Sequence, residues 1–127
     1  GQQLRDTRRA LLAGEPPHPL LAGSNTTIGV IATDAPLTKL QAQRLAVAGH
    51  DGLARAINPV HTMSDGDTLF TLATGVREQH PGMMVLATMA AEAVARATVR
   101  AVLAARSLTL ANGLWLPCHA DLSKTGG

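Results

Sequence analysis

Hydrophobic positions along the chain form two short apolar runs and two long periodic stretches. Residues 27–33 (TIGVIAT) are mostly apolar without clean alternation, which is typical of a strand that is covered on both faces. Residues 68–73 (TLFTLA) form a second run of the same kind. Apolar residues recur at helical spacing after each run. The pattern therefore predicts the order loop, β, α, β, α.

The first helix is predicted to begin at Thr38 and to end at Asn58-Pro59. Thr38 and Gln41 fit a T-x-x-Q capping box, in which the hydroxyl accepts a backbone amide and the glutamine reaches back. The residues of the predicted apolar face are Leu45, Ala48, Leu53, Ala56 and Ile57.

The second helix is predicted from Met83 to about Arg106. Three charged residues, Glu92, Arg96 and Arg100, interrupt its apolar sequence, which excludes a membrane span. Glu92 and Arg96 are four residues apart and should pair on the exposed face, with a contribution of ~0.3 kcal/mol.

Both ends of the chain carry weaker patterns. Residues 4–12 have weak helical character, and three prolines within residues 16–19 favour an extended linker that continues to residue 25. Residues 113–127 are predicted to be an irregular tail.

The charge balance and the scarcity of aromatic residues exclude a nucleic-acid-binding surface. The chain has 11 Lys+Arg against 9 Asp+Glu, and its only aromatic residues are Phe70 and Trp115. Clustered cations and base-stacking side chains are therefore missing. Because Ala, Leu and Val dominate, each residue offers little apolar area, at ~25 cal/mol per Å² buried. We therefore expect the chain to share a core with a partner.

Cys118 is the only cysteine, which excludes an intrachain disulfide and a Cys-based zinc site. The sequence contains no P-loop, no G-x-G-x-x-G and no G-x-S-x-G, so we expect no cofactor and no metal. It begins Gly1-Gln2-Gln3-Leu4 without a charged n-region or an apolar h-region. We therefore expect a cytoplasmic protein without a secretory signal or a membrane partner.

Two acidic residues flank a glycine in Asp65-Gly66-Asp67, just before the second predicted strand. Asp and Gly are frequent turn residues, so one interpretation is a plain turn. Another is an acid pair, in which neighbouring charges raise the pKa of one carboxyl and let it shuttle protons or orient a nucleophile. A metal site is a third interpretation, without supporting ligand spacing.

Thr26 precedes the first predicted strand and has three interpretations. It can be an ordinary strand threonine. Asn25-Thr26-Thr27 also fits the N-x-[ST] glycosylation pattern, which a cytoplasmic setting disfavours. The third interpretation is self-cleavage of the Asn25–Thr26 bond. A mid-chain threonine hydroxyl is a poor nucleophile, but an N-terminal threonine gains its own amine, of pKa ~8, as a base.

The five histidines are scattered singly along the chain, which favours structural or solvated roles. His61 is the exception to follow, because it lies four residues before Asp65. Cys118 and His119 are adjacent, so their side chains should not face each other, and Cys118 is predicted to be non-catalytic.

Three blocks of the sequence together resemble the S58 family of self-processing aminopeptidases and amidohydrolases. This family includes the L-aminopeptidase/D-esterase enzymes, the β-peptidyl aminopeptidases and the nylon-oligomer hydrolases. The resemblance runs from about Gly23 to Arg106, with the blocks in family order. The blocks are NTTIGVIATDAPLT (25–38), HDGLARAINPVHT (50–62) and SDGDTLFTLATG (64–75).

The resemblance implies an α/β fold in which this chain supplies the βαβα portion of an αββα sandwich, of the type shared with ornithine acetyltransferase. Family precursors are cut once into an α and a β chain. Residues 1–25 would be the end of the α portion and a linker, removed at the cut. Residues 26–127 would be the nucleophile-bearing β chain. The implied partners are the chain's own α portion and further αβ units in a homo-oligomer.

The resemblance also implies the site residues. The cut maps to the bond between Asn25 and Thr26, and Thr26 becomes the N-terminal nucleophile. Asp65 and Asp67 would hold and polarise it through hydrogen bonds. Many family members have serine as the nucleophile, and the combination of threonine with Asp-Gly-Asp looks most like the nylon-oligomer hydrolase branch. In the serine branch, a Ser and a Glu take the places of Asp65 and Asp67.

The sequence departs from the family pattern in two features that family precursors have. Family precursors carry a long N-terminal portion with oxyanion donors and a tyrosine, whereas this chain has no Tyr. An oxyanion hole is often worth ~3 kcal/mol, so the chain alone should be a poor hydrolase. Two rivals stay open: a non-catalytic fragment of the same fold that only assembles, and a small α/β binding module. The substrate would be a small peptide, amide or ester, of unspecified identity.

Overall fold

The fold is mixed α/β, with one parallel and one antiparallel pair of strands. A computed structural model describes residues 6–16 and 26–123. The predicted boundary after Asn25 lies outside these residues. The elements in chain order are α1 (Thr7–Leu12), β1 (Ile28–Thr33), α2 (Lys39–Ala56), β2 (Thr68–Ala73), α3 (Met83–Ala104), β3 (Leu108–Thr109), β4 (Trp115–Leu116) and α4 (His119–Ser123).

The β1–α2–β2 unit forms the centre of the structure. β1 and β2 pair in parallel, from Ile28 opposite Thr68 to Thr33 opposite Ala73. α2 crosses between them and packs on both strands, and α3 packs along α2. Because the strands are parallel and in step, the segments that precede them meet at one edge of the sheet.

The predicted capping box of α2 is confirmed. The Thr38 amide donates to Gln41 Oε1 at 2.9 Å, and the Gln41 amide donates to Thr38 Oγ1 at 3.3 Å. These bonds satisfy two of the amides that a helix start leaves without partners. The cap therefore fixes where the crossover helix begins after β1.

The face of α2 that meets α3 contains Gly52, which was not among the residues predicted for the apolar face. Leu45 and Leu53 are buried as predicted, and Gly49 and Gly52 are buried on the same helix. A Cβ at Gly52 would overlap the carbonyl oxygen of Ala91 and lie 2.8 Å from Val94 Cβ. Gly52 thus lets the backbones of α2 and α3 approach closely.

The predicted ion pair of α3 is confirmed and extends to α2. Arg96 Nε lies 2.5 Å from Glu92 Oε1, and Arg55 Nη2 of α2 lies 2.7 Å from Glu92 Oε2. The pKa of Glu92 is lowered, first by the hydrogen bond from Arg55 and then by that from Arg96. An ion pair between Glu92 and Arg55 therefore joins the two helices on the exposed side of their apolar contact.

Among the described residues, the prediction that the strands are covered on both faces holds for one face only. α2 covers the side of Gly29 and Ile31. On the opposite side no described residue forms a second layer, and four apolar side chains are open. Their exposed fractions are 72% for Ile28, 63% for Val30, 55% for Phe70 and 58% for Leu72.

The predicted irregular tail is wrong. β3 and β4 pair antiparallel, and α4 follows them. Asn112 and Gly113 make the turn: Gly113 has a φ of 82°, and the Leu114 amide donates to Asn112 Oδ1 at 3.0 Å. Gly113 supplies the left-handed residue that such short hairpin loops need, and glycine adopts it without strain. Among the helices of the described ranges, none has the length and apolar character to cross a membrane.

Candidate functional site

The segments before β1 and β2 meet at one sheet edge and bring together residues that are 40 positions apart in the chain. The amide of Thr68 donates to the carbonyl of Thr27 at 2.8 Å, which aligns the two segments. Thr26 and Thr27 come from the first segment, and Gly66 and Asp67 come from the second. The parallel register thus brings the first and the third sequence block together at one site.

The Thr26 hydroxyl lies directly over Gly66. A Cβ placed on Gly66 would be 3.0 Å from Thr26 Oγ1 and 3.7 Å from Thr26 Cγ2. Any side chain at position 66 would therefore crowd the hydroxyl. Thr26 is also an exposed residue. Asn25, the residue predicted on the other side of the cut, lies outside the described residues.

Asp67 anchors the residue that follows Thr26. Its Oδ1 atom accepts the Thr27 amide at 2.9 Å, and its Oδ2 atom lies 2.9 Å from His61 Nδ1. The carboxylate is only 7% exposed. Burial raises the pKa of Asp67, but hydrogen bonds from the Thr27 amide and hydroxyl and from His61 outweigh it and hold the pKa below its ordinary value. Asp67 is therefore ionised at neutral pH.

Asp65 forms its hydrogen bonds within its own turn, with Thr62. Its Oδ2 atom accepts the Thr62 amide at 2.7 Å, and its own amide donates to the Thr62 carbonyl at 3.1 Å. These bonds close the turn that leads to Gly66. The hypothesis that like charges raise the pKa of one acid does not hold for Asp67, whose pKa is lowered.

His61 lies at the site, but its partner there is not the acid four residues after it in the sequence. Its spacing pointed to Asp65, whereas its ring contacts Asp67. Its ring also packs against His50 of α2, with 4.9 Å between ring centroids. Across residues 6–16 and 26–123, no group of three or more His, Cys, Asp or Glu side chains is placed to hold a metal ion.

The chemistry available here is that of the hydroxyl of an exposed residue, next to a main-chain segment that Asp67 holds by a hydrogen bond. The ionised Asp67 fixes the peptide group between Thr26 and Thr27, and Gly66 leaves the space that the hydroxyl occupies. A hydroxyl in a fixed position next to a carbonyl group can attack it when a base accepts its proton.

Comparison with known proteins gives a consistent result. Peptidase family S58 matches residues 1–115. An uncharacterized aminopeptidase of Mycobacterium leprae is 46% identical over 101 residues, which covers 69% of this chain and 28% of that protein. An uncharacterized aminopeptidase of Mycobacterium tuberculosis is 54% identical over 68 residues, covering 54% of this chain and 20% of that protein.

The 6-aminohexanoate-oligomer endohydrolase of Paenarthrobacter ureafaciens is 38% identical over 56 residues, which covers 44% of this chain and 16% of that protein. The chain thus spans less than a third of the length of these curated relatives. The family match extends over most of the chain and includes both segments of the site. The chain belongs to Peptidase family S58.

Proposed function

We propose that this chain is the nucleophile-bearing part of a self-cleaving hydrolase that acts on amide, peptide or ester bonds. Thr26 is the nucleophile, after scission of the Asn25–Thr26 bond. The observation that carries the proposal is the position of the Thr26 hydroxyl over Gly66, next to a segment that Asp67 anchors. Membership of a peptidase family supports it, as do relatives named aminopeptidase and oligomer endohydrolase.

The cut consists of an N→O acyl shift and a hydrolysis. Thr26 Oγ attacks the carbonyl carbon of Asn25, the C–N bond breaks, and the hydroxyl proton passes to the Thr26 nitrogen. Water then attacks the resulting ester. The products are a carboxylate at Asn25, a free hydroxyl on Thr26 and a free amine at Thr26.

Turnover uses the amine that the cut creates. The Thr26 amine accepts the proton of its own hydroxyl as Oγ attacks the substrate carbonyl. The proton passes to the leaving amine or alcohol, and an acyl ester remains on Thr26. Water then releases the acid and restores the hydroxyl. Asp67 keeps the nucleophile in place during both steps, and Asp65 holds the turn that presents Gly66.

The open sheet face supports a second part of the proposal, namely that the rest of the polypeptide covers it. Four large apolar side chains on one face need a covering layer to be removed from water. We assign this layer to the α portion, which completes an αββα sandwich with residues 26–127 and supplies the oxyanion donors. The cut removes residues 1–25 from the β chain as the end of the α portion, and the αβ units assemble into a homo-oligomer in the cytoplasm.

The test uses the full natural polypeptide with substitutions of Thr26. Thr26→Ala should leave the chain uncut and without activity on a panel of peptide, amide and ester substrates. Thr26→Ser is the matched control, because it keeps the hydroxyl and should still cut and hydrolyse. An active Thr26→Ala protein would refute the proposed nucleophile.

One observation favours a second candidate, a non-catalytic assembly module. Both acids bind backbone amides, Asp65 that of Thr62 and Asp67 that of Thr27, as they would in a purely structural loop. In that case the wild-type protein would stay uncut and inactive, and Thr26→Ala would assemble as the wild type does.

A further inference from the structure

His61 joins two elements of the site region. Its Nδ1 atom lies 2.9 Å from Asp67 Oδ2, and its ring packs against His50 at a tilt of 58°. His50 belongs to α2, which packs on the sheet. His61 therefore connects the crossover helix to the carboxylate at the start of β2.

Contacts from two residues, Thr27 and His61, fix the Asp67 carboxylate at both of its oxygens. One oxygen accepts the Thr27 amide and the other meets His61. An ionised carboxylate can only accept hydrogen bonds, so His61 Nδ1 must carry the hydrogen. The bond is therefore charge-assisted, a class that is stronger than a neutral hydrogen bond. Without it, the Asp67 carboxylate could rotate away from Thr27.

The backbone of His61 is held in an uncommon conformation. Its φ is 55°, and it is the one non-glycine residue of the described ranges with a positive φ. Side chains other than glycine are uncommon in this left-handed region. Such strain persists where surrounding contacts hold it, and it concentrates at functional sites. Here the strained turn directs the imidazole at Asp67.

We propose that His61 is the positioning residue of the nucleophile. It fixes Asp67, Asp67 fixes the Thr27 amide, and that peptide group holds the Thr26 hydroxyl over Gly66. This assignment rests on the proposed function, because it gives His61 a role in the same site. His61 acts through Asp67 and does not touch the reacting atoms.

The experiment compares two substitutions of His61 in the full natural polypeptide. His61→Ala removes the donor. His61→Asn keeps a donor near the position of Nδ1 and tolerates the left-handed backbone. His119→Ala is the control, because His119 is an exposed histidine of α4 outside the site. Thermal unfolding establishes that each variant is folded.

Two readouts separate this role from the proposed function. The first is the rate of Asn25–Thr26 scission, followed by intact mass. The second is the hydrogen-exchange rate of the Thr27 amide, measured by NMR on ¹⁵N-threonine-labelled protein. The second readout uses a Thr26→Ala background, so that every chain compared is uncut.

We expect His61→Ala to slow scission and to speed exchange of the Thr27 amide, each about tenfold, as loss of a charge-assisted hydrogen bond predicts. His61→Asn should stay within about threefold of the wild type in both readouts, and His119→Ala should change neither. Failure of Asn to rescue a folded His61 variant would show a merely structural role and overturn the proposal.

The remaining outcomes are distinguishable. If the wild type cuts and His61→Ala changes neither readout, the positioning role is wrong and the proposed function stands. If the wild type never cuts but the Thr27 amide responds to His61→Ala and is rescued by Asn, the proposed function is wrong. In that case the His61–Asp67–Thr27 linkage itself is confirmed.

Discussion

Asp67 accepts the hydrogen bonds from Thr27 and His61 more strongly when it is ionised, so protonation should loosen the site. Its pKa in the folded protein is below the ordinary value, because the hydrogen bonds outweigh burial. Its contribution to stability is therefore fully present above about pH 4, the ordinary carboxyl pKa. That contribution is lost as the pH falls through the lowered pKa of the folded state.

We predict that Asp67→Asn lowers the unfolding midpoint at about pH 7, and that the difference from the wild type shrinks below about pH 4. The measurement is thermal unfolding of both proteins across this range. Taking the difference removes the effect of other carboxylates, such as Glu92. A difference that stays constant at all pH values would contradict the role of the Asp67 charge.

At the level of single residues, the sequence predicted site residues best where they lie in the blocks that the strand register brings together. Thr26, Asp65 and Asp67 could be named because their blocks occur in family order, and their assigned roles stay predictions. The link between His61 and Asp67 could not be predicted. It depends on a left-handed backbone at position 61, which no apolar pattern or residue spacing encodes.

The contact between α2 and α3 depends on Gly52, whose missing side chain admits the backbone of Ala91. Alanine is the better helix former by ~1 kcal/mol. Nevertheless, we predict that Gly52→Ala lowers the free energy of unfolding by about 2 kcal/mol, because overpacking costs about 1–3 kcal/mol and a backbone atom cannot move aside like a side chain.

Ala54→Gly is the matched control for Gly52→Ala in chemical denaturation of the full polypeptide. Ala54 is exposed on the same helix, so its substitution should cost only the helix propensity, about 1 kcal/mol. A Gly52→Ala protein more stable than the wild type would show that propensity outweighs the helix contact.

At the level of elements, the long segments could be predicted because their signals are local. The capping box marked the start of α2, and the apolar runs marked both strands of the parallel pair. β3 and β4 were missed because strands of two residues are too short to show alternation. The Asn112-Gly113 pair was the available signal for that hairpin.

At the scale of the whole molecule, the sheet has an apolar face that none of the described residues covers. If the rest of the polypeptide covers it, Phe70 is a core residue of the complete protein. We then predict that Phe70→Ala lowers the free energy of unfolding of the full polypeptide by about 3 kcal/mol or more. The measurement is chemical denaturation of the full polypeptide.

The control for this prediction is Met63→Ala, since Met63 is 107% exposed in the loop after α2. That change should stay within about 0.5 kcal/mol, as surface substitutions do. A similarly small effect for Phe70→Ala would mean that the face stays open to water, and the proposed covering layer would then be wrong.

The scarcity of large apolar side chains predicted a shared core, and the open sheet face is consistent with this expectation. In the proposed complete protein, the covering surface, the oxyanion donors and the substrate pocket are assigned to the α portion. None of them could be predicted residue by residue, because no pattern in this sequence specifies them. What this chain contributes to the proposed site is the pair of segments before β1 and β2.

The most direct measurement is N-terminal sequencing combined with intact mass on the purified full polypeptide. We predict a matured chain that begins Thr26-Thr27-Ile28, a partner fragment whose C-terminal residue precedes Thr26, and a single uncut chain for Thr26→Ala. A wild-type protein that hydrolyses amides while it stays uncut, or a Thr26→Ala protein that still cuts at this bond, would contradict self-cleavage by the Thr26 hydroxyl.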